Sequence, residues 1–314
     1  MRAIGVTRYG GPETLHEIDV PVEELEPGTV RIRVSAAAVS PTDTLVRSGA
    51  RADAEQADAP GDVPGMDVTG VVAELGPDGG DGLAVGDRVI GIVMPTGPHG
   101  AYREEIVLPV GSVVRAPTGA SDAEAATLPM NALTARRALD LLALGTGQTL
   151  AVTGAAGTLG GYLVQLAVHD GLRVLADAAE KDEELVRSWG ADVVVRRGED
   201  VAERIREVAP DGVDGLADAS IQSAQVLPAV SDGGAVATFR GYRGDGARGL
   251  RVEPVMVRDV AEARGMLAGL RDLAEQGVLA LRVADVLPAV EAAEAHRRLE
   301  AGGVRGRIVL DLTA

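Results

Sequence analysis

The stretch AVTGAAGTLGG, residues 151–161, decides how this chain is read. An apolar run ends at Thr153 and a helical pattern begins near Thr158, with Gly154, Gly157, Gly160 and Gly161 spread across the junction. The only polar side chains in it are the hydroxyls of Thr153 and Thr158. A tight turn alone needs one or two glycines, so four raise the question of what requires a bare backbone. A dinucleotide diphosphate on a strand-to-helix turn has that requirement, because any Cβ obstructs its approach. The helix N-terminus then supplies free N–H groups and a favourable dipole for its two negative charges. The spacing Gly154-x-x-Gly157-x-x-Gly160 differs from the commoner G-x-G-x-x-G, so the strand–turn–helix setting carries the reading, with a purely structural turn as the alternative. On this reading Gly154, Ala156, Gly157, Thr158, Leu159 and Gly160 are candidate cofactor contacts.

The flanking sequence supplies that setting. The strand-like runs LAVTG, RVLADA, DVVVR, VDGLADA and GAVATF are separated by helical segments such as LGGYLVQLAVHDG, EELVRSWG and VAERIREVAP. In the first of these Leu159, Leu163, Leu166 and Ala167 share one helical face. Such alternation predicts βαβ units and a parallel, doubly wound sheet. The pattern starts near residue 121, where SDAEAATLP and NALTARRALDLL read as helices and Ser121 with Glu124 as an N-cap pair.

The first 115 residues read differently. TVRIRVSAAAV, residues 29–39, alternates like a strand, and β-branched runs recur over Val68–Ala73 and Val89–Val93. The clusters GGPET, EPGT, DAPGDVPG and GPDGGDG read as turns. Helical periodicity is scarce, which predicts a compact, mostly β domain. In the tail, residues 259–276 read as a helix, LRVADVLP as a strand, AVEAAEAHRRLEAG as a helix and RGRIVLDL as a strand. Periodicity leaves open whether these extend the parallel sheet or return to the first domain.

Composition narrows the function classes. With 314 residues, 46% hydrophobic and 25% charged, the chain suits a globular protein of two domains or one large one. It has no cysteine, which excludes disulfides and thiolate zinc sites. The net charge of −17 repels nucleic acid and anionic membranes, and reads most simply as a solubility trait. No apolar run approaches the roughly 18 residues of a membrane span, and the start lacks a secretory apolar region, so a cytoplasmic protein is expected. The four histidines, His16, His99, His169 and His296, are scattered without metal-ligand spacing and read as surface or packing residues.

The choice of dinucleotide rests on the next strand. Asp177 in RVLADAAEK stands about where an acid accepts the ribose 2′-hydroxyl of NAD. Lys181 follows four residues later, and Arg196 and Arg197 end the strand after that. Basic groups there suit a 2′-phosphate. NADPH is therefore expected ahead of NADH, although both arginines also read as solvated strand-end charges.

The chain resembles the zinc-independent quinone oxidoreductase branch of the medium-chain dehydrogenase/reductase superfamily, nearly end to end. The likeness rests on MRAIGVTRYGGPETL, RVSAAAVSPTDTLVRSG, VPGMDVTGVVAELG, VGDRVIG, GAYREEIVLP, AATLPMNALTARRAL and VRGRIVL, in the family's order. It implies a β-rich GroES-like catalytic domain over residues 1–120 with 259–314, and a Rossmann NADP-binding domain over 121–258. Zinc-dependent relatives hold their metal partly at the positions of Ser40 and Met66, so no zinc is expected.

The family's asparagine beside the nicotinamide corresponds to Ser40, a candidate catalytic residue, although a Ser in a turn before Pro41 serves structure equally well. Tyr102 lies in a segment that borders the cleft in relatives and is the second catalytic candidate. Thr134 matches a threonine that reaches the cofactor; Phe239, Arg240 and Arg305 are further cofactor candidates, the last on weaker grounds. Met66, Met94 and Met130 would line an adaptable apolar cleft, and the low aromatic content, 2%, tilts the expected substrate from large polycyclic quinones to small enones. The resemblance implies an NADPH-dependent reductase of quinones or α,β-unsaturated carbonyls. An enoyl-thioester reductase and a non-catalytic NADPH-binding sensor are the alternatives. A homodimer pairing through GLRVEPVMV, residues 249–257, is also expected.

Overall fold

The computed structural model describes residues 1–50 and 61–313. The first three residues of the expected DAPGDVPG turn, 58–60, lie outside them. By contacts the chain divides into two units, one over residues 1–130, 261–275 and 281–314, the other over 131–260 and 276–280.

In the first unit β1 (Arg2–Gly5) and β2 (His16–Asp19) form an antiparallel pair. The long β3 (Thr29–Ala38) organises the rest. Val30, Ile32 and Val34 turn to the core while Arg31 and Arg33 face the other way, the period of two that a half-buried strand requires. Helix α1 (Pro41–Ser48) follows directly. The sequence reading missed it, because one short amphipathic helix among strands leaves little periodicity. Its start is nevertheless written in Ser40-Pro41-Thr42-Asp43, an N-cap serine, a proline in the first turn and the acid of a capping box. The strands β4 (Asp67–Leu75), β5 (Arg88–Ile92), β6 (Glu105–Pro109) and β7 (Val113–Arg115) complete the antiparallel part, with β4 and β6 pairing β3. Helix α2 (Asp122–Ala126) begins with the expected box of Ser121 and Glu124 and packs on β3 and β4.

Helix α3 (Pro129–Leu142) leads into the second unit, where β8 (Thr149–Thr153), α4 (Thr158–His169), β9 (Arg173–Ala178), α5 (Glu183–Ser188), β10 (Val193–Arg196), α6 (Val201–Val208), β11 (Val213–Asp218), β12 (Val230–Thr238) and β13 (Arg251–Pro254) follow. Their sheet runs β10-β9-β8-β11-β12-β13, every pairing parallel. This is the doubly wound arrangement that the alternation predicts. The order reverses between β8 and β11, and in such sheets ligands bind beyond the carboxyl ends of the strands at that point. The end of β8 there is Thr153, the residue before Gly154. The expected dimer segment contains β13, which forms an edge of this sheet.

The tail returns to the first unit. Helix α7 covers Arg264–Glu275, beginning later than the 259–276 reading because Val257–Val260 forms a separate tight turn of helix. Then β14 (Val283–Pro288), α8 (Ala292–Ala301) and β15 (Arg307–Asp311) follow, and β15 joins β3 in the seven-stranded sheet. This places α7, β14, α8 and β15, which periodicity leaves open, in the first unit.

Candidate functional site

The four glycines answer to different constraints. Gly154 has φ +67°, and a Cβ on it would lie 2.9 Å from the Ala219 carbonyl carbon. At Gly160 a Cβ would lie 2.2 Å from the Gly154 oxygen and 2.7 Å from Ala155 Cα, so α4 packs directly on the turn. Gly161 faces the Trp189 ring, 3.1 Å from where its Cβ would stand. These three are explained by the chain itself. Gly157 is the least constrained: its Cβ would stand 3.2 Å from a single atom, the Gly154 oxygen, a tight approach to one backbone carbonyl, in a backbone conformation open to any residue.

The amides divide in the same way. Gly154 N and Ala155 N donate to Asp177 Oδ1 over 2.7 and 3.3 Å, and Gly157 N donates to the Gly154 carbonyl over 3.0 Å. Gly157 caps α4 without a side-chain bond, and the first-turn amides of Thr158, Leu159 and Gly160 have no acceptor within the helix. With the helix dipole behind them, they form an anion-accepting terminus. Of the candidates in this stretch, Thr158, Leu159 and Gly160 are the ones whose amides lie in the first turn of α4.

Two buried acids on either side of β8 hold this end of the sheet. Asp177 closes on the turn as described, and burial pushes its carboxyl above the usual carboxylate range against the pull of those amides and of Arg197. Asp218, at the end of β11, accepts from the Thr153 hydroxyl over 2.8 Å and from the amides of Gln222 and Ser223 over 3.1 and 2.7 Å. The sequence reading missed Asp218, whose only signal is its place as the last residue of the strand beside β8.

The other second-unit candidates take varied places. Lys181 is exposed just beyond β9, Arg197 is exposed just beyond β10, and Arg196 pairs with Glu180 over 3.0 Å. Phe239 and Arg240 follow β12, the first half-buried and the second exposed. Thr134 lies in α3 and is buried, as is Ala156 in the turn.

In the first unit Ser40 and Tyr102 are brought together by Asp43. The resemblance sets Ser40 beside the nicotinamide and Tyr102 in a segment that borders the cleft; in the structure both are 0% exposed. Ser40 Oγ accepts from Thr42 N over 3.2 Å, and Ser40 N donates to Asp43 Oδ2 over 2.7 Å. The Tyr102 hydroxyl donates to that same oxygen over 2.9 Å, and Gly65 N donates to Oδ1 over 3.1 Å. Behind Tyr102 lies His296, with Nε2 at 3.4 Å from the phenol oxygen, and Arg47 Nη1 lies 3.3 Å from Nδ1.

An arginine only donates, so Nδ1 accepts and Nε2 carries the hydrogen that points at Tyr102. Every bond then runs one way, from Arg47 through His296 and Tyr102 to Asp43. Arg47 is anchored by Glu300 over 2.6 Å and by the Gly10 carbonyl over 3.1 Å. Burial and then the Arg47 charge lower the His296 pKa to about 3, keeping the ring neutral. Burial raises Asp43 to about 6 despite its donors. A second buried acid, Asp67, accepts from Arg307 over 2.8 Å and from Met130 N over 2.6 Å. Arg305 is partly buried in the approach to β15. Among the described residues no three His, Asp or Glu side chains are grouped to hold a metal ion.

Residues 26–118 match the alcohol dehydrogenase GroES-like domain family, and residues 189–310 match the zinc-binding dehydrogenase family. The chain is 30% identical to 2-methylene-furan-3-one reductase of Solanum lycopersicum, over 99% of this chain and 79% of that protein. It is 32% identical to the chloroplastic NADPH-dependent alkenal/one oxidoreductase of Arabidopsis thaliana, over 77% of this chain and only 63% of that one. Among solved structures it is similar to a mycobacterial protein in complex with NADPH, with 29% identity, 99% of both chains covered and a TM-score of 0.84.

Proposed function

The chain belongs to the zinc-independent quinone oxidoreductase branch of the medium-chain dehydrogenase/reductase superfamily, and from that premise we propose that it reduces quinones or other α,β-unsaturated carbonyl compounds with NADPH, without a metal. The observation that carries this reading is the bare start of α4, which no side chain caps and where one backbone oxygen alone crowds the Cβ position of Gly157. The donor set fits a diphosphate: amides at a helix N-terminus, with no carboxylate among the first-turn residues.

NADPH supplies a hydride to an electrophilic carbon. In this reading the amides of Thr158, Leu159 and Gly160 hold the diphosphate. Lys181 and Arg197 take the 2′-phosphate, as their charge and exposure suit. Thr134, Phe239, Arg240 and Arg305 are the further cofactor contacts. Ser40 and Tyr102 act as positioning residues, since their polar groups are tied into the Asp43 cluster. Absence of cysteine, with Ser40 and Met66 at the family's ligand positions, supports chemistry without zinc. The protein works in the cytoplasm as a homodimer paired through the β13 edge. Among the described residues no helix is long and apolar enough to cross a membrane.

Steady-state NADPH oxidation over a panel of enones and quinones tests the reading. Turnover above the no-substrate rate is expected, and its absence throughout the panel counts against it. Stoichiometric zinc in the purified protein would overturn the metal-free assignment.

A further inference from the structure

Asp177 occupies the place from which a dinucleotide-binding sheet offers a carboxylate to the ribose. Its geometry describes another task. In the register of β8 and β9, Ala151 stands opposite Leu175 and Val152 opposite Ala176. Asp177 is therefore the first β9 residue beyond the paired run, level with the point where β8 gives way to the turn. The left-handed Gly154 tilts two successive amides, 154 and 155, towards the carboxylate, and Oδ1 accepts both. Successive amides gathered in this way make a concave anion site. The anion in it is Asp177, which is 4% exposed.

We propose that Asp177 is a positioning residue that clamps the phosphate-binding turn, and that it does not discriminate between dinucleotides through the ribose 2′-hydroxyl. The inference rests on the dinucleotide reading above. With its negative charge supplied from inside, the 154–155 amide pair is closed to phosphate, and the anion is directed to the first turn of α4. Selection between NADPH and NADH then falls to groups other than Asp177.

The test is the dissociation constant of NADPH and of NADH for the wild type and for Asp177→Asn. Loss of a charged acceptor from two amides should weaken both cofactors together, by about tenfold, and leave their ratio unchanged. A variant that loses NADH alone, with NADPH unchanged or tighter, overturns the clamp in favour of ribose recognition. Should the variant fold poorly, the wild type answers the question with NADH and its 2′-deoxy analogue. Affinities within about twofold are expected, and a loss near tenfold for the deoxy compound overturns the proposal. Wild-type protein that binds neither dinucleotide overturns the cofactor reading itself, and the clamp with it, so the two failures are distinguishable.

Discussion

The Tyr102 hydroxyl and the Asp43 carboxylate lie 2.9 Å apart, and through this bond Tyr102 helps hold the segments at Ser40 and Gly65, whose amides donate to the same carboxylate. Replacing Tyr102 by Phe removes one of the donors and leaves the His296 Nε2 hydrogen without its acceptor. A stability loss of about 1–3 kcal/mol follows from leaving such buried groups unpaired. Denaturant unfolding reads it as a lower midpoint at unchanged slope.

His296 gives the cluster a pH signature. The unfolded chain takes up a proton on it below about 6.5, whereas the folded chain refuses one until about 3. Acidification from pH 7 towards pH 4.5 therefore favours unfolding through this group. His296→Gln removes that contribution while Asp43 titrates in both proteins. Compared with its parent, the variant should gain on the order of 2 kcal/mol between pH 7 and pH 4.5. Melting temperatures of the pair across that range check it, and parallel curves would contradict it.

Gly157 and Gly160 should separate under the same small change. Gly160→Ala drives a methyl group into the Gly154 carbonyl and Ala155 Cα, and a destabilisation of about 1–3 kcal/mol is expected. Gly157→Ala meets only one oxygen at 3.2 Å, so its stability should stay within about 1 kcal/mol of wild type. Its NADPH affinity should nevertheless fall by about tenfold or more, because in the proposed reading the added methyl would stand where the diphosphate approaches. Thermal melts and calorimetric titrations of the two variants check this opposition.

Arg307 and Asp67 form an ion pair with side chains 5% and 0% exposed. Asp67→Asn leaves a buried guanidinium without its counter-charge and should cost about 3–5 kcal/mol, measured by denaturant unfolding.

Much of the fold was legible because both of its periodicities are strong. Alternation at Val30, Ile32 and Val34 marks β3, and the strand–helix alternation after residue 149 marks the parallel sheet. Helix α1 was lost because capping chemistry, not periodicity, announces it. At the site, the glycine stretch was legible as a place but not as a set of separate causes. Gly154 and Gly160 answer to Ala219 and to the turn itself, contacts between residues distant in sequence or folded back on one another. Asp43, His296 and Arg47 were out of reach for the same reason. Nothing in the linear order reveals that Arg47 meets a histidine 249 residues away.

A crystal of the wild-type protein soaked with NADPH decides whether the start of α4 carries the cofactor's diphosphate. Diphosphate oxygens should lie within hydrogen-bonding distance of first-turn amides among Thr158, Leu159 and Gly160, and Asp177 should remain on Gly154 and Ala155. Diphosphate density anywhere else on the protein would rule out that role for α4.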